Sequence, residues 1–176
     1  TAIGWGAMCG ADTTGHHNIA IGRDTLSLMT TGERNIAIGQ DALNDSTTGC
    51  LNIAIGCSAM AGADTTGINN IALGTTAMDA LTSGICNIGI GINALGALTT
   101  GCYNVGIGKG ALETACTAKF NTALGGATLD ALTTGCYNVA IGEGAISGST
   151  TANFNVGIGN SAMGGADTTG AQNVAI

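Results

Sequence analysis

The sequence predicts an all-β fold, a parallel β-solenoid (β-roll or β-helix) of about ten coils of 17–18 residues stacked into a rod. Three observations predict it. An asparagine recurs at a near-constant interval, the same large–small alternation follows each one, and each repeat closes on a Thr-Thr-Gly corner or a close variant.

The asparagines set the frame: Asn18, Asn35, Asn52, Asn70, Asn87, Asn104, Asn121, Asn138, Asn155 and Asn173, at steps of 17, 17, 18, 17, 17, 17, 17, 17 and 18 residues. With Asn as position 1, the coil continues Ile/Val, Ala/Gly, Ile/Leu, Gly, two variable residues, Ala/Thr, then Leu/Met/Ile. Both 18-residue steps carry Gly-Ala-Asp-Thr-Thr-Gly, at Gly62 to Gly67 and Gly165 to Gly170, and the string also occurs at Gly10 to Gly15. The extra residue therefore sits in one loop and leaves the strand frame intact.

Each element follows from local chemistry. Asn35-Ile36-Ala37-Ile38-Gly39 alternates with period two, the signature of a strand. Ile36 and Ile38 share one face; Asn35, Ala37 and Gly39 share the other. The glycine at position 5 (Gly22, Gly39, Gly56, Gly74, Gly91, Gly108, Gly125, Gly142, Gly159) ends the strand at a bend that needs positive φ or close approach. Leu43 belongs to a second short buried segment, and Thr47-Thr48-Gly49 turns the chain back. Coils stacked at a strand spacing of ~4.8 Å make a rod roughly 48 Å long. Residues 1–176 form a single repetitive segment that opens and stops inside a strand motif, and so reads as a window on a longer array.

Composition narrows the function classes. The chain has 31 Gly, no Pro, 3% aromatic and 9% charged residues, yet 45% are hydrophobic, which excludes collagen and argues against disorder. A net charge of −7 opposes nucleic-acid binding. No apolar run is long enough to span a membrane as a helix. Seven cysteines without a CxxC pair fit neither a disulfide framework nor a zinc site, and read as free thiols in a chain that folds in a reducing compartment.

A thin coil buries little on its own, so a second buried surface is expected. Position 3 is always Ala or Gly (Ala20, Ala37, Ala54, Ala72, Gly89, Gly106, Ala123, Ala140, Gly157, Ala175) and lies opposite the Ile pair. Two readings are open: these residues fit a tight coil, or they form a lateral interface between parallel chains. The second is the expectation taken forward, with three chains in a parallel homotrimer. Open strand edges also allow assembly along the axis into a filament.

Tyr103, Phe120, Tyr137 and Phe154 precede their asparagines in four successive coils and would stack as an aromatic ladder, either structural or a strip for sugar stacking. Where Phe appears, the corner glycine becomes Ala118 or Ala152. The asparagine column is expected to form side-chain amide ladders or to satisfy turn backbone groups. The threonine pairs (Thr30-Thr31, Thr47-Thr48, Thr99-Thr100, Thr133-Thr134) suggest a hydroxyl array of the ice-binding kind, but adjacent residues point to opposite sides, which favours a turn role. His16-His17 has no acidic or thiol partner at a fixed spacing, so it reads as an exposed loop rather than a metal site. Cys50, Cys102 and Cys136 share position 16 in non-adjacent coils, too far apart for a disulfide; Cys86 and Cys102 are the best-placed pair. The acids Asp24, Asp41, Asp79, Glu113, Asp130 and Glu143 occupy variable corners, and no catalytic motif or cofactor motif occurs, so neither an enzyme nor a cofactor-dependent protein is expected.

The Asn-Ile-Ala-Ile-Gly strand, with Ala-Leu following and Thr-Thr-Gly closing the coil, resembles the repeats of bacteriophage tail-fibre proteins. It is also similar to the heads of trimeric autotransporter adhesins. The resemblance implies a trimeric parallel β-roll in a fibre, with the apolar pair facing the roll interior. The coils are longer here than in such adhesin heads, so the cross-section is expected to differ. The function expected is the structural shaft of an extracellular or virion fibre; the alternative is an adhesin head that binds host glycan or protein.

Overall fold

The computed structural model describes residues 1–10, 14–165 and 170–176. The Gly10–Gly15 and Gly165–Gly170 loops thus lie largely outside the described residues. The chain is a parallel β-solenoid. Eleven short strands form one sheet in strict sequence order: β1 (Ala2–Ile3), β2 (Ile19–Ile21), β3 (Ile36–Ile38), β4 (Ile53–Ile55), β5 (Ile71–Leu73), β6 (Ile88–Ile90), β7 (Val105–Ile107), β8 (Thr122–Leu124), β9 (Val139–Ile141), β10 (Val156–Ile158) and β11 (Val174–Ala175). Every pairing is parallel and joins equivalent positions; Ile36 lies over Ile53, and Ile53 over Ile71. The 18-residue coil that contains Gly62–Gly67 keeps this register, because its extra residue is taken up in the loop.

Which face of the strand points inward differs from expectation. Ala20, Ala37, Ala54, Ala72, Ala123 and Ala140 are fully buried, as are the asparagines beside them on the same face. The Ile pair faces outward, with Ile19, Ile21, Ile55, Ile107 and Ile141 each more than a third exposed. The expectation that the apolar pair fills the roll is therefore corrected, and so is the lateral interface at position 3.

The reason is space. The inner face of the sheet lies against a column of large side chains from the second segment: Leu26, Leu43, Met60, Met78, Leu95, Leu112, Leu129 and Ile146, all fully buried. A Cβ built on Gly89 would sit 3.1 Å from the Met78 methyl, and one on Gly106 would sit 3.3 Å from Leu95 Cγ. Only hydrogen or a methyl fits between strand and column, so the small residues at position 3 are a packing requirement of the coil itself. Because side chains alternate along a strand, an inward Asn and Ala place both Ile residues outside.

The second segment is a chain of turns rather than a strand. In each complete coil three positions take left-handed backbone, for example Asn93 (φ 55°), Leu95 (φ 55°) and Tyr103 (φ 59°), and glycine fills the first of them in only two coils, as Gly110 and Gly144. Such a conformation costs an L-residue roughly 1–2 kcal/mol. Each of these residues is held by an axial hydrogen bond: Asn93 N–H donates to Thr75 O at 3.1 Å, Leu95 N–H to Ala111 O at 2.9 Å and Tyr103 N–H to Ile85 O at 3.1 Å. Bonds thus run to the coil behind and to the coil ahead, so the turns are stitched along the axis as firmly as the strands.

Candidate functional site

The asparagine column is the internal brace of the rod. Asn87 Nδ2 donates to Gly101 O at 2.9 Å, which ties the start of its coil to the corner near its end. It also donates to Asn70 Oδ1 at 3.1 Å. Asn87 Oδ1 in turn accepts from Asn104 N–H at 3.0 Å and Asn104 Nδ2 at 3.1 Å. The backbone rung from each asparagine to the preceding Oδ1 runs without interruption from Asn35 to Asn173. Ala118 and Ala152, which replace the corner glycine, keep its carbonyl role by accepting from Asn104 and Asn138 at 2.7 Å. A shorter or a charged side chain could not make both the cross-coil and the axial bonds.

On the outside, Tyr103, Phe120, Tyr137 and Phe154 form the ladder that their spacing suggested. Successive ring centroids are 5.0, 4.9 and 5.0 Å apart and the planes are within 7° of parallel. The rings are about half exposed. Their faces are turned toward one another, so what a ligand meets along most of the ladder is ring edge. Each stacked pair adds about 0.5–1.5 kcal/mol beyond burial. Phe120→Ala removes two such pairs and is expected to lower unfolding free energy by about 1–3 kcal/mol in urea titration. Phe154→Ala removes one pair and should lose about half as much.

The structure separates the two threonines of each corner. The first donates its hydroxyl along the axis: Thr30 to Thr47 O, Thr99 to Cys116 O and Thr133 to Thr150 O, each at 3.0 Å. The second (Thr31, Thr48, Thr100, Thr134) is exposed. A two-column hydroxyl plane is therefore not presented. Asp64, in the six-residue loop, accepts from both the N–H and the hydroxyl of Thr47 at 2.9 Å, a capping contact that the repeat pattern did not reveal.

His16 and His17 are exposed, and among the described residues no group of three or more metal-ligating side chains occurs. All seven cysteines are free. Cys50, Cys102 and Cys136 turn their thiols toward the carbonyls of Thr48, Thr100 and Thr134. No helix among the described residues is long and apolar enough to cross a membrane. An open depression along one corner includes Asp79, Asn93 and Glu113. It belongs to the variable acidic columns, and the Thr114 hydroxyl on its wall donates to the backbone carbonyl of Asp130.

Compared with known proteins, the chain matches no family model, no curated protein and no solved structure.

Two carboxyls on these columns are perturbed. Burial, reinforced by the neighbouring Glu113 and offset in part by backbone hydrogen bonds, holds Asp130 above the ordinary aspartate value of 3.8. Burial, with a smaller contribution from Asp45, does the same for Asp79. One Asp130 oxygen, Oδ1, is buried without a hydrogen-bond partner. A raised native pKa means that the folded chain binds the proton more tightly than the unfolded chain. The associated stability is full below pH 3.8 and declines as pH rises through the native value. Asp130→Asn is expected to raise the melting temperature at neutral pH and to leave it nearly unchanged at pH 3, which thermal denaturation at the two pH values will check.

Proposed function

We propose that the chain is a shaft segment of an extracellular fibre, such as a phage tail fibre or a related surface filament, and that its role is mechanical. The observation that supports this most is the axial continuity of the hydrogen bonds: eleven strands in one register, with an asparagine brace in every complete coil. Such a rod holds length and resists bending, while the variable corner residues set its surface. The resemblance to phage fibre repeats agrees with this role and with a place on a virion or cell surface. No catalytic chemistry is part of the proposal.

Single-molecule pulling from the two termini tests it. A shaft is expected to yield in discrete events, each releasing one 17-residue coil and about 60 Å of contour at ~3.5 Å per residue. Smooth extension at low force would contradict a mechanical role. The adhesin-head reading is favoured by one observation, the half-exposed aromatic ladder. Glycan-array binding that is lost in Tyr103→Ala/Tyr137→Ala at unchanged melting temperature would support that reading instead.

A further inference from the structure

The outward face of the sheet carries two columns of branched apolar side chains. One runs Ile19, Ile36, Ile53, Ile71, Ile88, Val105, Thr122, Val139 and Val156; the other occupies the strand position two residues later, from Ile21 to Ile158. Thr122 is the only residue of the pair of columns that is not Ile, Leu or Val. All 15 charged residues of the chain lie elsewhere. Along β7–β10 the aromatic column runs beside this stripe, two residues before each strand's first residue.

We propose that this face is an interface and that its occupant is a second copy of this chain, packed stripe against stripe. Three considerations point to a copy rather than another partner. The side-chain ridges repeat at ~4.8 Å along the axis, and a partner matches them over the full length only if it is a parallel β-rod with the same repeat. The stripe is roughly 48 Å long and ~11 Å wide, so a stripe-to-stripe contact covers about 500 Å² on each copy and about 1,000 Å² in total, which reaches the lower bound for a specific interface. The net charge of −7 is carried by corners off this face. Like-charge repulsion therefore disfavours contact through the other sides and leaves the uncharged stripe as the route to association. Two such sheets pack about 10 Å apart with their side chains interdigitated. The inference deepens the shaft reading by naming the partner and the face through which rods join.

Sedimentation velocity on the whole chain at micromolar concentration tests it. The wild type is expected to sediment as a discrete dimer. Ile90→Lys/Ile107→Lys places two charges in the middle of the stripe and should give a monomer at concentrations where the wild type is assembled. Thr100→Lys, on the exposed corner, should leave the assembly intact. Hydroxyl-radical footprinting of the unaltered chain gives a reading that does not depend on the folding of any variant. Ile88, Ile90 and Ile107 should become protected as concentration rises while Thr100 does not. A wild type that is monomeric throughout, or footprints that ignore concentration, would overturn the interface and leave the pulling result for the shaft untouched. Coil-by-coil rupture of a monomeric stripe variant would likewise keep the two proposals separable.

Discussion

Asn87→Ala is expected to destabilise the rod by about 2–6 kcal/mol, because it leaves two buried backbone groups without partners at roughly 1–3 kcal/mol each. The Asn104 N–H loses the Asn87 Oδ1 acceptor at 3.0 Å, and the Gly101 carbonyl loses the Nδ2 donor at 2.9 Å. Bulk water does not reach these groups, since Asn87 and Asn104 are both fully buried. Asn87→Asp sharpens the test. The acid keeps an acceptor for Asn104 but sets a carboxylate oxygen against the Gly101 carbonyl and Asn70 Oδ1, so it should be at least as damaging at neutral pH and milder once protonated. Asn160→Ala, on the surface, should change stability by no more than about 0.5 kcal/mol. Urea unfolding of the three variants measures all of these differences. If Asn87→Ala behaved like Asn160→Ala, the asparagine column would not be a brace.

The second large effect is expected at the bend. Gly91 has φ +131°, a region that essentially only glycine occupies, and a Cβ there would lie 2.5 Å from Gly108 O in the next coil. The backbone strain alone amounts to about 1–3 kcal/mol. The clash adds to it, because the atom in the way is backbone: Gly108 O accepts from Ala111 N–H at 3.3 Å in its own turn, while Gly108 N–H is tied along the axis to Ile90 O at 2.8 Å. Gly91→Ala should therefore cost about 3 kcal/mol or more in urea or thermal unfolding. Gly144 supplies the contrast. Its φ of +64° is a conformation that Asp41 and Asn93 adopt at the equivalent position, and an added Cβ would meet only Ser161 Oγ, at 3.5 Å. Gly144→Ala should therefore lose no more than about 1–2 kcal/mol. Equal losses at Gly91 and Gly144 would mean that the bend and its coil-to-coil proximity have no energetic weight.

The repeat length, the strand position and the face-sharing of Asn with Ala were all legible in the sequence, because a solenoid prints its period on every coil. The direction of each face was not. Large apolar side chains ordinarily point inward, and Ile36 and Ile38 were placed there by that rule. The competing signal was Asn35 beside Ala37: an asparagine in every coil, on the same face as residues no larger than a methyl, marks an interior too narrow for isoleucine. The left-handed positions were also hidden. They are occupied by residues such as Leu95 and Tyr103, whose types favour other conformations, and they exist only because neighbouring coils supply the hydrogen bonds that hold them. The aromatic ladder was visible as a spacing, but the orientation of its rings was set by the coil-to-coil distance and could be known only once the coils were stacked.

Pairs of spin labels test most directly whether one coil advances the chain by a single strand spacing. In a cysteine-free background, labels at position 34 with 103, and at 34 with 137, lie four and six coils apart. The account predicts separations of about 19 and 29 Å at ~4.8 Å per coil, although the labelled positions are 69 and 103 residues apart in sequence. Distances that fail to grow in proportion to the number of coils, or that are broad and unrelated to it, would contradict it.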